Sequence, residues 1–97
     1  MRVELSAKAV EDIGQIGDYI AIDNRAAAKR YVEEIERRCR NLRRMPERFP
    51  IAFSLTPPVR QRVLGRHYIF YSVRRDYVLI ERVLDSARDI SSTMFSR

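Results

Sequence analysis

Residues 67–84, HYIFYSVRRDYVLIERVL, hold two apolar runs separated by only a few polar residues centred on Arg75-Asp76. The runs are rich in Tyr, Phe, Val and Ile, residues that suit a pleated, half-buried surface. Asp76 sits where a tight turn tolerates Asp, so the segment reads as a β-hairpin with strands over 67–74 and 77–84. A third strand is expected over 59–64, set off by Gly65-Arg66. Both faces of the hairpin strands carry apolar side chains. Such a sheet is covered on one side and partly occupied on the other, and the rest of a 97-residue chain must supply the cover.

The first half supplies it. RVELS, residues 2–6, is a short strand with Val3 and Leu5 on one face. Ser6 has the character of an N-cap for a helix over 7–22, with Glu11 and Asp12 near the positive end of its dipole. Ala9, Ile13, Ile16 and Ile20 recur at amphipathic spacing, with Val10 and Tyr19 beside them. Asn24 or Asp23 caps a second helix over 25–45, whose stripe is Ala28, Val32, Ile35, Cys39 and Leu42, widened by Tyr31. Pro46 is expected to end it. On its opposite face Glu33–Arg37, Glu34–Arg38 and Glu36–Arg40 form i, i+4 pairs. PERFPIAFSLTPP, residues 46–58, has four prolines in thirteen residues and reads as a loop. The fold class is α+β: one domain over 1–97 in β-α-α-β-β-β order, an antiparallel helical hairpin packed on a small, mostly antiparallel sheet, then a short polar C-terminal tail.

Several function classes fall away. No run approaches transmembrane length, and the N-terminus has no apolar core of a signal peptide, so a soluble, cytoplasmic protein with no membrane partner is expected. The one cysteine, Cys39, excludes an intramolecular disulfide and a cysteine-based zinc site, and its place in the helical stripe predicts a buried, inert thiol. No cofactor or metal site is expected.

Charge is unevenly spread. The net charge is +6, and 17 of the 19 basic residues are arginine. Residues 1–36 carry five basic and eight acidic side chains, whereas residues 37–97 carry fourteen and five. Between 37 and 75 the only acid is Glu47, against eleven basic residues. A positive field so concentrated favours phosphate or an acidic partner.

This order, with these residues, resembles the RelE/ParE superfamily of toxins from type II toxin–antitoxin modules. LSAKAVEDIGQIGDYIAIDNRAAAKRYVEEIERRCRNLRRMPERFP is similar to the family's opening helical hairpin. VRQRVLGRHYIFYSV and VLIERVLDSARD are similar to its closing sheet. IFYSV with RVLDSARD is closer to the ParE branch than to the RelE branch. One departure is that ParE-like chains commonly carry His where this chain has Asp85, so any role of that His does not transfer. The resemblance implies a toxin held inactive by a cognate antitoxin, with DNA gyrase as target in the ParE reading. The alternative is ribosome-dependent mRNA cleavage of the RelE type, with RNA or the ribosome as partner.

Cleavage through a 2′-hydroxyl needs a base, an acid and cations around the phosphorane. Cations are plentiful: Arg60, Arg62, Arg66, Arg82 and Arg88 lie on or beside the expected sheet and are the candidate target- or phosphate-binding residues. Arg60 and Arg62 share a strand face. By alternation Arg82 shares its face with Val78, Ile80 and Leu84, so its head group needs a partner. Proton carriers are thin. His67 is the only histidine, Arg stays protonated, and Tyr68, Tyr71 and Tyr77 read as packing. Glu81 and Asp85 share a face by alternation, but four residues span about 13 Å along a strand. Residues 86–97 offer no tyrosine or histidine. No catalytic residue is assigned, and binding is favoured over catalysis. A nucleic-acid-binding module and an inactive toxin homologue are the remaining alternatives.

Overall fold

The hairpin closes where the turn chemistry places it, with the Arg74 N–H donating to the Tyr77 carbonyl at 2.8 Å. The computed structural model describes residues 1–95 and 97. In chain order it contains β1 (Arg2–Leu5), α1 (Ala7–Ala21), α2 (Arg25–Asn41), β2 (Ile51–Phe53), β3 (Val59–Leu64), β4 (His67–Val73) and β5 (Tyr77–Asp85), with single 3₁₀ turns at Pro46–Arg48 and Ser92–Met94. The sheet runs β1-β5-β4-β3-β2. The β1–β5 pair is parallel and the other pairs are antiparallel. The α+β class and the helical hairpin ahead of the sheet match expectation. Among the described residues no helix is long and apolar enough to cross a membrane.

The caps also match. Ser6 Oγ accepts the Ala9 N–H at 3.0 Å and Asn24 Oδ1 accepts the Ala27 N–H at 2.9 Å. Each satisfies one of the orphan donors at a helix start. On the outer face of α2, Glu34 pairs with Arg38 at 2.7 Å as expected, and Arg37 turns to Glu34 rather than Glu33. The second helix stops earlier than Met45. Leu42 caps it, two 3.2 Å bonds tighten the exit, and Met45 takes a left-handed φ of 49°. The residue before a proline is pushed out of the α region, so the break begins ahead of Pro46.

Within the proline-rich segment the expected loop contains a strand. Ile51 and Phe53 pair with β3, and Gln61 N–H donates to the Pro50 carbonyl at 3.0 Å. The prolines flank this strand, and it lies at the sheet's edge, where an interrupted ladder is tolerated.

Two cores lie on the two faces of the sheet. On the helix side, Ala9, Ile13, Ile35, Cys39 and Leu42 pack on Leu64, Ile69, Tyr71, Val78, Ile80 and Val83. The helices approach closely at Gly17, where a Cβ would stand 3.0 Å from Val32 Cγ2. On the outer side, Val59, Phe70, Leu84 and Phe95 form a smaller core with Phe53, Tyr68, Ile90 and Met94. The tail is therefore not simply polar. Phe95 is buried between Phe53 and Phe70, with ring centroids 5.2 Å from each.

A β-bulge in β5 changes the expected alternation. Ile80 opposes Tyr71, Arg82 opposes Phe70, and Glu81 is the inserted residue. One extra residue reverses the sidedness of everything beyond it. Val83 thus joins Val78 and Ile80 in the helix-side core, while Leu84 turns to the outer core. Arg82 does not share one face with Val78, Ile80 and Leu84. Glu81 and Asp85 likewise part: Glu81 meets Arg97 and Arg74 on the outer side, whereas Asp85 stands opposite His67.

Cys39 is buried, and burial pushes its thiol up to about 12. Its thiolate is therefore scarce at neutral pH. A thiol reagent is expected to label the protein only as it unfolds, and Cys39→Ser to cost about 1–3 kcal/mol in urea denaturation. Labelling of the native protein at the rate of a free thiol would contradict this.

Candidate functional site

The five arginines singled out from the sequence do not converge on one site. Arg60 Nη1 donates to the carbonyls of Glu47 and Phe49 at 2.9 and 2.8 Å. Arg62 donates to the Arg38 carbonyl at 3.2 Å, and its guanidinium lies 4.9 Å from the Phe49 ring centroid. Both arginines fix the segment between α2 and β2, helped by the Tyr71 hydroxyl, which donates to the Pro46 carbonyl at 2.5 Å. Burial lowers the pKa of Arg62, with Arg38 and Arg48 adding repulsion.

Arg82 is engaged inside the fold. Its Nε and Nη2 donate to the two carboxylate oxygens of Asp12 at 2.8 and 2.9 Å; Asp12 is buried and Arg82 partly so. Asp12 Oδ2 also accepts the Val83 N–H at 3.0 Å. The hydrogen bonds it donates to Asp12 raise the pKa of Arg82, outweighing its desolvation. In the sequence Asp12 stands out only as a dipole partner. The missed signal was its position one turn before Ile16, on the flank of the apolar stripe, where an acid needs a buried partner.

Arg66 and Arg88 remain, and they border a groove of about 680 Å³ between α1, Tyr31, the β3–β4 turn and the end of β5. Ile16, Ile20 and Val83 give it an apolar lining, and Tyr19 stands at α1 with 75 % of its surface exposed. Gly65 makes the turn with φ of 58°, and a Cβ there would lie 3.1 Å from the Tyr31 hydroxyl. Arg66 Nε contacts Asp85 Oδ2 at 2.9 Å, although 71 % of the arginine side chain stays exposed. Asp85 Oδ1 accepts the Ala87 N–H at 2.8 Å. That bond, together with Arg66, lowers the pKa of Asp85.

His67 also lines the groove, largely buried. Its Nδ1 lies 2.6 Å from the Tyr31 hydroxyl, which is 3.2 Å from the Leu64 carbonyl. Both contacts are satisfied together when Nδ1–H donates to the tyrosine oxygen and the tyrosine O–H donates to Leu64. Burial lowers the pKa of His67 against the opposing pull of Asp85. Burial also raises the pKa of Tyr31. Chemically, the groove offers two surface guanidiniums, one neutral imidazole fixed by a phenol, and an aromatic wall. In the sequence Tyr31 only widens a helix stripe; its pairing with His67 depends on a register that the sequence does not display.

The model of the ParE toxin of the type II toxin–antitoxin system parDE matches residues 3–90. No curated protein sequence matches the chain. Among solved structures, the chain is similar to one described as a chromosomal ParDE TA system from P. aeruginosa, with 19 % identity and a TM-score of 0.76 over 88 % of this chain and 95 % of that one. At that identity the likeness establishes the shared fold.

The lowered pKa of His67 sets a pH dependence. The folded state prefers the neutral imidazole, so the stability contributed is fully present above the unfolded value of about 6.5 and is lost as pH falls through it. NMR titration of this single histidine is expected to give a midpoint below 6.5. The stability advantage of the wild type over His67→Gln is expected to shrink from pH 8 to pH 5. A midpoint above that of free imidazole would contradict the assignment.

Proposed function

The chain belongs to the ParE toxin family of type II toxin–antitoxin systems, and from that premise we propose that it is a single-domain cytoplasmic toxin that inhibits DNA gyrase by binding and is neutralised by a cognate antitoxin. The observation that carries this reading is the contrast between surface cations and proton carriers. Arg66 and Arg88 present charge at the groove, and neither relays a proton at neutral pH. The groove's one imidazole is largely buried and held by Tyr31. Loss of a general acid or base removes about 10²–10⁴-fold of rate, which a binding mechanism does not suffer. The antitoxin reading is supported by charge: residues 37–97 carry nine more basic than acidic side chains, a field that speeds association with an acidic segment.

The placement of His67 beside Arg66 favours the second reading, ribosome-dependent mRNA cleavage, because it puts a neutral base next to an exposed cation. Two assays separate the readings. Purified toxin is expected to block gyrase supercoiling or trap cleaved DNA, to leave mRNA on translating ribosomes intact, and to keep its toxicity in His67→Gln. Codon-phased mRNA cuts that disappear in His67→Gln, with gyrase unaffected, would overturn the gyrase reading. Co-expression with the neighbouring small gene is expected to give a stable complex.

A further inference from the structure

The groove bordered by Arg66 and Arg88 has features that inhibition by surface contact does not use. Its volume, about 680 Å³, falls in the range of small-molecule sites. Its lining joins an apolar floor, Ile16, Ile20 and Val83, to cations at the rim. Among the described residues the Arg88 side chain has no ion-pair partner. Arg66 already holds an oxyanion, the Asp85 carboxylate, through a mostly exposed contact that an incoming anion can displace. Tyr19 lines the same groove and is mostly exposed, which leaves an aromatic face open for a flat ligand to stack on.

From these juxtaposed features we propose that the groove binds one nucleoside monophosphate unit. Its phosphate lies on Arg66 and Arg88, where planar guanidiniums hold phosphate oxygens bidentately. Its base packs against Tyr19 over the apolar floor, because every base has a face that stacks on an aromatic ring. Asp85 acts as the internal competitor, neutralising Arg66 when the groove is empty. An acidic peptide would satisfy the arginines but leave the aromatic wall unexplained. The unit can come from a free nucleotide or from a nucleic-acid strand. The site stands apart from the gyrase reading, and its test contains no gyrase.

The test is a titration of the full chain, followed by amide NMR, with thymidine 5′-monophosphate, thymidine and inorganic phosphate. The monophosphate is expected to shift the amides of Gly65, Arg66 and Asp85 and to bind at least about tenfold more tightly than either fragment. Tyr19→Ala is expected to weaken the monophosphate and thymidine about tenfold while sparing phosphate. Arg66→Ala with Arg88→Ala is expected to abolish the advantage of the monophosphate over thymidine. Asp85→Asn is expected to tighten phosphate and monophosphate, the opposite of what loss of a structural contact would do. Tyr19 is exposed, so its arm decides even where the arginine variant folds poorly. Tetranucleotides of DNA and RNA identify the source: tighter binding than the monophosphate assigns a strand, weaker binding assigns a free nucleotide, and both outcomes support the site. A monophosphate no tighter than phosphate, shifts confined to other surfaces, or a hexaglutamate peptide that outcompetes the monophosphate without dependence on Tyr19 would each overturn it.

Discussion

One carboxylate holds the two layers in register. β5 spans nine residues and β1 only four, so past Ile80 the edge of β5 has no strand to pair with. Helix α1 and its N-cap supply the missing partners in sequence. The Ser6 N–H donates to the Ile80 carbonyl at 2.9 Å, the Ser6 hydroxyl to the Glu81 carbonyl at 2.8 Å, and Asp12 accepts the Val83 N–H at 3.0 Å. Arg82 then neutralises Asp12 with two hydrogen bonds. An open edge and a buried carboxylate are each costly alone. Joined, they lock α1 to β5 at a fixed height, and that height defines the groove.

The same tie explains the bulge. Glu81 and Arg82 stand two against one on Phe70, which frees Arg82 to reach the edge where Asp12 waits and turns Glu81 toward Arg97 and Arg74. Beyond the bulge, Val83 points to the helices and Asp85 comes opposite His67. A β5 without the extra residue would send Val83 outward and remove Asp85 from the groove.

Much of this was legible in the sequence. The stripe Ala9, Ile13, Ile16, Ile20 and the run Ile35, Cys39, Leu42 mark helix faces because their period is local, and Ser6 and Asn24 mark helix starts because capping chemistry is local too. β2 was hidden because three residues between prolines carry too little pattern to outweigh the breakers. The buried Phe95 was hidden in a polar tail because one aromatic has no period. The division of the arginines was illegible for a different reason. Arg60, Arg62 and Arg82 are spent on backbone carbonyls and Asp12, whereas Arg66 and Arg88 stay at the surface, and nothing in residue type separates the two groups. Their roles follow from a sheet register and a bulge that are long-range properties.

The Asp12–Arg82 pair ties α1 to β5. Urea unfolding of Asp12→Ala, Arg82→Met and the double variant Asp12→Leu with Arg82→Met tests it directly. Removing Asp12 alone leaves a partly buried guanidinium and a buried Val83 N–H without partners, and is expected to cost about 3–5 kcal/mol. The double variant, which buries no charge, is expected to lose clearly less than the sum of the single losses. A loss under about 0.5 kcal/mol in Asp12→Ala, the size of an ordinary surface substitution, would contradict the account.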